Sequence, residues 1–358
     1  MPKKNPEEIK TRIDKAEKKV DDRDKVINDA MAKLNKQFGT GAVVRIGDME
    51  NKDIKTKFIS TGSYGLDYVM GGGYAKGRIT EVAGMQSSGK TAIALQFIAR
   101  VQKQGMKCAF VDVEYSFDTS FAQMIGVDTD SLIYSQPENG EEALTTVENL
   151  VDTGVIDVIV LDSVAALTPK RELEGLLEKQ DMALQAKLLA KFLRRVTASV
   201  SRNNVILIMI NQMRDVFNAM AFAPQTQTAG GNALRFYSSV RLQVAKGLKI
   251  KQGEEVVGNT LKIKAEKNKV APPSRQCELD IIYTKGIDLV SDTITWGEKL
   301  GVIKKSGTTY SWDNIVSKDI AENVKLGVGK ESAKKFLEDN PIVLEQIRKE
   351  IQKVFKAN

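Results

Sequence analysis

The segment "GMQSSGKT", residues 84–91, has the spacing G-x-x-x-x-G-K-[ST]. It lies between the apolar run "RITEVA" and the helix-favouring run "TAIALQFIARVQKQ". Glycines at positions 84 and 89 let the backbone curl so that its N–H groups face a phosphate, and the following helix N-terminus adds a partial positive charge. In such a loop Lys90 reaches the β- and γ-phosphates of a nucleotide, and Thr91 binds Mg²⁺. The alternative is a chance glycine-rich turn, which the flanking strand and helix argue against.

Strands and helices alternate around this loop. Short apolar runs at residues 78–82, 108–112, 158–162 and 205–210 are typical of parallel strands covered on both faces. Helix-favouring segments lie at residues 91–104, 141–152 and 182–202. The sequence therefore predicts an α/β fold: a P-loop NTPase core whose largely parallel central sheet is flanked by helices.

Changes in composition divide the chain into three predicted parts. Residues 1–50 form an N-terminal arm, with a helix at 6–38, where apolar residues recur every three or four positions, and a short strand at 42–46. Residues 51–285 form the P-loop core. Residues 286–358 are charge-rich and form a small α+β C-terminal domain.

Composition excludes several classes of protein. The 358 residues are 42% hydrophobic and 28% charged, and no apolar run approaches the ~20 residues that cross a bilayer. The N-terminus lacks a signal peptide, so we expect a cytoplasmic protein without membrane association. No histidine is present, which excludes Ser-His-Asp triads and His/Cys zinc sites. Cys108 and Cys277 are predicted to be reduced thiols of the core, and the net charge of +7 is weak support for a polyanionic partner.

Two carboxylates follow predicted strands. Asp162 ends "DVIVLD", the usual position of an acidic partner for Mg²⁺, although a helix cap is the alternative. Glu114 lies just beyond the strand that follows the loop helix. The carboxyl edge of a parallel sheet faces the ligand crevice, so Glu114 is a candidate to activate water, with a solvated loop acid as the alternative.

A long uncharged segment, "VFNAMAFAPQTQTAGGNAL", follows the apolar run "NVILIMINQMR". Apolar side chains such as Phe217 can stack on nucleic-acid bases regardless of their sequence. The alternative is an irregular linker whose phenylalanines pack into the core.

Six motifs in order resemble the RecA family of bacterial DNA-strand-exchange recombinases: "GMQSSGKT", "DVEYSFD", "SQPENGEEAL", "VIVLDSVAALTPK", "INQMR" and "TAGGNALRFYSSVRL". The likeness runs from about residue 34 to at least residue 281. It implies an ATP-dependent recombinase that forms a helical filament on single-stranded DNA, pairs it with homologous double-stranded DNA and exchanges strands, with DNA-stimulated ATP hydrolysis.

The resemblance also assigns roles around the nucleotide. Glu114 would activate the attacking water, and Gln212 would sense the γ-phosphate. Asp118, Phe121 and Tyr283 would hold the adenine, with Phe121 where the family usually has tyrosine. Lys267 and Lys269 would reach the ATP of the neighbouring subunit. The complete nucleotide set is Gly84, Met85, Gln86, Ser87, Ser88, Gly89, Lys90, Thr91, Asp118, Phe121 and Tyr283, and Thr91 and Asp162 would bind Mg²⁺.

Two loops, residues 172–187 and 213–232, would hold single-stranded DNA. The residues implied there are Met182, Lys187, Arg194, Arg214, Phe217, Gly230, Gly231 and Asn232. Lys246, Lys262 and Lys264 match a secondary site for duplex DNA. Lys262 and Lys264 alternate with apolar residues and so share one exposed strand face, for which a solvated face is the alternative.

The arm would pack on the next subunit of the filament, an intramolecular helix being the alternative. Further expected partners are an SOS-type repressor and recombination mediators. The chain ends at "IQKVFKAN" rather than in the acidic tail of many relatives, which predicts easier loading on duplex DNA. The alternative classes are a ring-forming helicase or circadian-type ATPase and a non-catalytic ATP-gated module. The arm and "TAGGNALRF" argue against the ring, and Glu114 argues against the module.

Overall fold

The computed structural model describes residues 6–48, 56–174, 182–215, 226–317 and 320–357. The chain divides into two compact units, Met1–Thr56 and Lys57–Asn358. The predicted boundaries at residues 50 and 285 stay predictions.

The first unit consists mainly of one long helix, α1 (Pro6–Phe38), which confirms the helix predicted at these residues. The predicted strand at residues 42–46 is wrong for the single chain. The N–H and C=O of Val43 are both bonded to the Asn35 side chain at 2.9 Å, and Ile46–Asp48 forms a 3₁₀ turn. A strand needs a neighbouring edge for its hydrogen bonds, and the described part of this unit offers none.

The second unit contains all the strands of the described residues. In chain order they are β1 (Phe58–Ile59), β2 (Tyr74–Ala75), β3 (Arg78–Gly84), β4 (Cys108–Asp112), β5 (Ile133–Ser135), β6 (Val158–Asp162), β7 (Ile206–Asp215), β8 (Thr226–Thr228), β9 (Val240–Gln252), β10 (Glu255–Asn268), β11 (Gln276–Ile282), β12 (Gly286–Ile287), β13 (Ile303–Ser306), β14 (Thr309–Ser317) and β15 (Ile320–Val328).

Helices surround these strands. They are α2 (Tyr64–Met70), α3 (Lys90–Gln102), α4 (Thr119–Ile125), α5 (Gly140–Asp152), α6 (Lys170–Leu173), α7 (Met182–Arg202), α8 (Ala233–Tyr237), α9 (Leu289–Lys299), α10 (Lys330–Asp339) and α11 (Pro341–Ala357). No helix in the described part of the chain is both long and apolar enough to cross a membrane.

Within the described ranges, ten strands form the central sheet, in the order β12-β11-β10-β9-β3-β7-β6-β4-β5, with β8 paired to β7. Strands β9, β3, β7, β6, β4 and β5 are parallel, and β9 to β12 continue antiparallel. Val158 and Val160 of β6 pack with α3, whereas Ile159 and Leu161 pack with α5 and α7 on the other face. Both faces are covered, so the strands are continuous apolar runs, and the predicted α/β core is confirmed.

Strand β7 extends beyond its apolar run. The prediction ended this strand at residue 210, where polar residues begin, but it continues to Asp215 and pairs antiparallel with β8. Met213 lies opposite Thr228 and Arg214 opposite Gln227. The predicted loop at 213–232 therefore begins and ends in a two-stranded ribbon, because the returning chain supplies the hydrogen bonds that the ribbon needs.

The C-terminal part has its own core. Strands β13, β14 and β15 form an antiparallel sheet that packs with α9, α10 and α11 around Trp312 and Ile347. The Asp292 carboxylate of α9 accepts the N–H groups of Tyr64 and Gly65 at 2.6 and 3.2 Å. This contact fixes α2 of the core against the C-terminal elements.

Candidate nucleotide and DNA site

The phosphate loop joins β3 to α3 in a tight curl. Ser87 and Gly89 have φ angles of 57° and 86°, the left-handed conformation that such a curl requires. A Cβ atom on Gly84 would lie 2.3 Å from the Val244 carbonyl oxygen, so only glycine lets β9 approach. The Ser88 hydroxyl is buried and has no hydrogen-bond partner within the described structure. A curled loop with an unpaired buried donor fits a phosphate.

Lys90 is the first residue of α3, and its side chain folds back over the loop. Its ammonium donates a hydrogen bond to the Met85 carbonyl at 2.8 Å. Burial lowers the pKa of Lys90, while Asp162 and Glu114 oppose that shift. A phosphate in the loop would place a negative charge beside the ammonium and so oppose the lowering of the pKa of Lys90 by burial.

Thr91 and Asp162 form the candidate metal site. The Thr91 hydroxyl donates to the Asp162 carboxylate at 2.6 Å, and Asp162 is 4% exposed. Burial raises the pKa of Asp162 to about 6, and the nearby Glu114 adds to the shift. The helix-cap alternative is not what the structure shows, because this carboxylate binds Thr91. The described residues hold no group of three or more carboxylate, thiol or imidazole ligands. One hydroxyl and one carboxylate suit Mg²⁺, which takes its remaining ligands from water and substrate phosphates.

Glu114 is held at the edge of the sheet by two donors. The Gln212 side-chain amide donates to Glu114 Oε1 at 2.6 Å, and the Ser163 hydroxyl donates to the same oxygen. The backbone carbonyl of Gln212 accepts a hydrogen bond from the N–H of Ala229, at the base of the second loop, at 3.3 Å. The solvated-acid alternative therefore does not describe Glu114, and Gln212 connects this carboxylate to the predicted DNA loop.

An open cavity of about 470 Å³ collects most of the predicted nucleotide residues. Those that line it are Gln86, Ser87, Ser88, Gly89, Lys90, Thr91, Glu114, Phe121, Asp162, Gln212 and Tyr283. Gly84 and Met85 are not among the lining residues: β9 approaches Gly84 closely, and the Met85 carbonyl accepts a hydrogen bond from Lys90. Asp118 is not among the lining residues, since its carboxylate caps α4 by accepting the Phe121 N–H at 3.0 Å.

Lys267 and Lys269 lie away from this cavity. The Lys267 ammonium donates to the carbonyls of Arg235 and Phe236 at 2.6 and 3.0 Å, and Lys269 reaches Phe236 at 3.5 Å. Burial lowers the pKa of Lys267 to about 8, with Lys269 and Arg241 contributing. Neither lysine lines the nucleotide cavity of its own chain.

The described parts of the two predicted DNA loops meet at α7. A Cβ atom on Gly230 would lie 2.7 Å from Leu189 of α7, and one on Gly231 would lie 3.2 Å from Ala186. Of the residues predicted to bind DNA, the cations Lys187 and Arg194 on α7 and Arg214 on β7 are exposed, and Asn232 precedes α8. Phe217 and the Met182 side chain lie outside the described residues.

The structure separates the three lysines predicted for duplex DNA. Lys262 and Lys264 line a cavity of about 600 Å³ together with Ala245 and Lys299. Lys246 instead lines the nucleotide cavity, on the opposite face of β9 and β10. The three therefore do not form one site in this chain.

Two polar residues at the site are not among those predicted from the sequence. Ser163 follows Asp162 directly, so its place beside Glu114 could have been inferred from the strand end. Asn259 lines the cavity and donates to the Tyr283 hydroxyl, but its position depends on strand pairing and has no local signal. A buried chain of polar contacts was missed as well: Arg241 binds Glu81 at 2.5 Å, and Glu81 accepts from Asn211 at 2.9 Å.

A parallel sheet whose phosphate loop leads into a helix, with strand-end carboxylates beside it, defines a P-loop nucleoside triphosphatase. The RecA N-terminal domain family matches residues 25–288, and the RecA C-terminal domain family matches residues 291–356. The chain is 46% identical over 333 residues to Protein RecA of Campylobacter fetus, covering 93% of both chains. It is 45% identical over 333 residues to Protein RecA of Chloroherpeton thalassium, covering 93% of this chain and 90% of that one.

The chain belongs to the RecA family. It is a nucleotide-binding, DNA-dependent ATPase that acts as a recombinase in DNA recombination, DNA repair and the SOS response to DNA damage. Members of this family bind DNA and form filaments.

Proposed function

We propose that the cavity beside the phosphate loop binds ATP with Mg²⁺ and hydrolyses it, with Glu114 as the base that activates water. Lys90 would bind the β- and γ-phosphates, and Thr91 and Asp162 would hold the metal. Mg²⁺, when bound, neutralises charge on the phosphate oxygens. Phe121 and Tyr283 would enclose the adenine, with Asp118 fixing α4 beneath it.

The observation that carries this proposal is the chain of contacts from Glu114 through Gln212 to Ala229. While the Gln212 amide donates to Glu114, that carboxylate oxygen is occupied. A γ-phosphate in the cavity would compete for the same amide and release Glu114 to accept a proton from water. Because Gln212 is also bonded to the base of the second loop, this exchange would report the nucleotide state to bound DNA.

The remaining proposed roles concern DNA and the neighbouring subunit. Single-stranded DNA would lie along the two loops, and Lys262 and Lys264 would bind incoming double-stranded DNA. The arm of residues 1–50 would pack on the core, residues 51–285, of the next subunit, and Lys267 and Lys269 would reach that subunit's ATP. An SOS-type repressor and recombination mediators are the further proposed partners, and the cytoplasm is the proposed location.

The test is ATP hydrolysis by the full chain, with and without single-stranded DNA. We expect strong stimulation by DNA and a loss of at least ~100-fold in Glu114→Gln, since general-base catalysis contributes that much. Glu138→Gln is the matched control, because Glu138 is an exposed acid outside the cavity. Hydrolysis that does not respond to DNA, or that survives in Glu114→Gln, would contradict the proposal.

A further inference from the structure

One lysine of the antiparallel strands lies beside the phosphate loop. We propose that Lys246 binds the phosphate chain of the nucleotide within its own subunit, rather than DNA. This inference rests on the proposed nucleotide site and adds a residue to it.

The register of β9 places Lys246 next to the loop. Val244 of β9 lies opposite Gly84, the residue at which the loop begins. Lys246 follows two positions later, and alternate residues of a strand share a face. Val244 is buried in the core on the side of α3, so Lys246 lies on the nucleotide side of the sheet.

The neighbouring strand confirms this face. Lys246 pairs with Leu261 of β10. A Cβ atom on Gly89 would lie 3.0 Å from the Leu261 side chain, so Leu261 packs directly over the phosphate loop. Paired residues on antiparallel strands project to the same side. Lys246 and Leu261 both line the nucleotide cavity, whereas Lys262 lines the cavity on the opposite face.

The charges of the cavity call for a second cation. Its charged lining residues are Lys90 and Lys246 against Glu114 and Asp162, so the cavity alone is balanced. A nucleoside triphosphate brings several negative charges into it. Lys246 is exposed and has no ion-pair partner within the described ranges, while Lys262 is paired with Glu278 at 3.7 Å. The Lys246 ammonium is therefore free to take a phosphate.

Its position indicates binding rather than chemistry. Glu114, proposed to activate water, follows β4, and its partner Gln212 lies on β7, so both are on one side of β3. Lys246 lies on β9, on the other side of β3. Removing it should weaken nucleotide affinity and raise KM, and leave kcat within about twofold, because interactions equal in the ground and transition states change KM alone.

The experiment measures equilibrium binding, without DNA, of a slowly hydrolysed fluorescent ATP analogue and of fluorescent ADP. We expect Lys246→Ala to raise both dissociation constants roughly three- to tenfold, because one charge-assisted contact to a phosphate is lost. Lys246→Arg, which keeps the charge, should restore most of the affinity. Lys251→Ala is the matched control, since Lys251 is an exposed lysine further along the same strand.

Lys90→Ala separates the two proposals. If Lys90→Ala binds both nucleotides normally, the proposed nucleotide site is wrong. If Lys90→Ala loses binding while Lys246→Ala matches Lys251→Ala, the site stands and the inference about Lys246 is overturned. Normal nucleotide affinity with impaired capture of duplex DNA in Lys246→Ala would also overturn it and return this lysine to a DNA site.

Discussion

The two halves of the central sheet use their side chains differently. In the half built on β3, β7, β6, β4 and β5, strands β4 and β6 are buried along their whole length, and the candidate site carboxylate Asp162 lies where β6 ends. In the half built on β9 to β12, exposed and buried residues alternate along β10 and β11, so that Lys262 and Lys264 are exposed between buried Leu261, Ile263 and Ala265. The first half holds a few polar groups in fixed positions, whereas the second half exposes several lysines to solvent.

This difference separates chemistry from charge recognition. Groups that act on a reacting atom must be held in one geometry, which a closely packed edge of buried strands supplies. Binding a polyanion needs cations at a solvent-exposed surface and tolerates small displacements. We therefore expect changes in the first half to alter turnover or stability strongly, and changes in the second half to alter affinity modestly.

The largest expected effect lies where the two halves join. Arg241 of β9 binds Glu81 of β3 at 2.5 Å, with side chains only 9% and 1% exposed, and also reaches Glu266 at 3.2 Å. Arg241→Met leaves Glu81 buried without a cation, and we expect a loss of ~3–5 kcal/mol in the free energy of unfolding. Denaturant unfolding measures it.

A double variant tests the cause of that loss. Arg241→Met with Glu81→Leu removes both charges, and it should regain a substantial part of the stability, since a buried pair is often replaceable by apolar residues. If the single variant loses less than ~1 kcal/mol, the two halves do not depend on this ion pair.

The next effect concerns Asp162, a buried carboxyl that we expect to lower the stability of the folded protein when it is ionised. Its pKa is raised from 3.8 to about 6, so the carboxyl favours the folded state below pH 3.8, and that contribution is lost as the pH rises through about 6. In Mg²⁺-free buffer at about pH 8, Asp162→Asn should raise Tm by a few degrees. The same variant should lower Mg²⁺-dependent ATP hydrolysis at least ~100-fold.

Asp157→Asn provides the control for this prediction. Asp157 lies just before the same strand, is half-buried, accepts the N–H of Lys107 and pairs with Lys76 at 3.8 Å. Its replacement should leave Mg²⁺-dependent hydrolysis unchanged. A Tm for Asp162→Asn that is equal to or below that of the unchanged protein would show that the buried charge costs nothing.

The first half of the sheet is also the half that sequence patterns predict well. The predicted limits of β4 and β6 match the structure, because a strand covered on both faces is one continuous apolar run bounded by polar residues. The phosphate loop could also be predicted from the sequence, since each position of its motif is fixed by spacing along the chain. The extension of β7 to Asp215 was not, because its stabilising partner β8 lies beyond an intervening loop.

The second half depends on register, which spacing does not give. Lys246 shares a face with Leu261 because of how β9 pairs with β10, and this pairing contains register shifts, including one between Asn259 and Leu261. A one-residue slip moves a side chain to the other face. The resemblance groups Lys246 with Lys262 and Lys264, but the strand register of this chain places Lys246 on the other face. The DNA roles of Lys262 and Lys264 stay predictions.

A smaller effect is expected from Lys267, whose pKa of about 8 reflects burial in the single chain. A phosphate of the neighbouring subunit's ATP would raise this pKa again, so assembly would take up a proton above about pH 8. The association constant for filament formation should therefore fall as pH rises from about 7.5 to about 9, by at most ~tenfold per pH unit. Lys267→Arg should remove this dependence, because arginine stays charged. Light scattering measures assembly, and an equal pH dependence in both proteins would contradict the role in trans.

The smallest effect distinguishes two lysines on the exposed face of β10. Lys262 is paired with Glu278 at 3.7 Å, with side chains 60% and 64% exposed, while Lys264 has no ion-pair partner within the described residues. The exposed pair contributes ~0–1 kcal/mol and weakens with salt, but DNA must still displace it. At low salt, Lys264→Ala should therefore lower duplex affinity more than Lys262→Ala does, by roughly two- to fivefold against twofold or less.

The salt dependence of duplex binding tests the roles of Lys262 and Lys264 further. Each lysine that contacts a phosphate should lower the slope of log affinity against log salt by about one when it is removed. As salt screens the Lys262–Glu278 pair, the two alanine variants should become alike. A fluorescence titration of duplex DNA at several salt concentrations measures both quantities, with Lys251→Ala as the control. Equal losses at low salt would mean that Glu278 does not restrain Lys262, and unchanged slopes would mean that this face does not meet the DNA backbone.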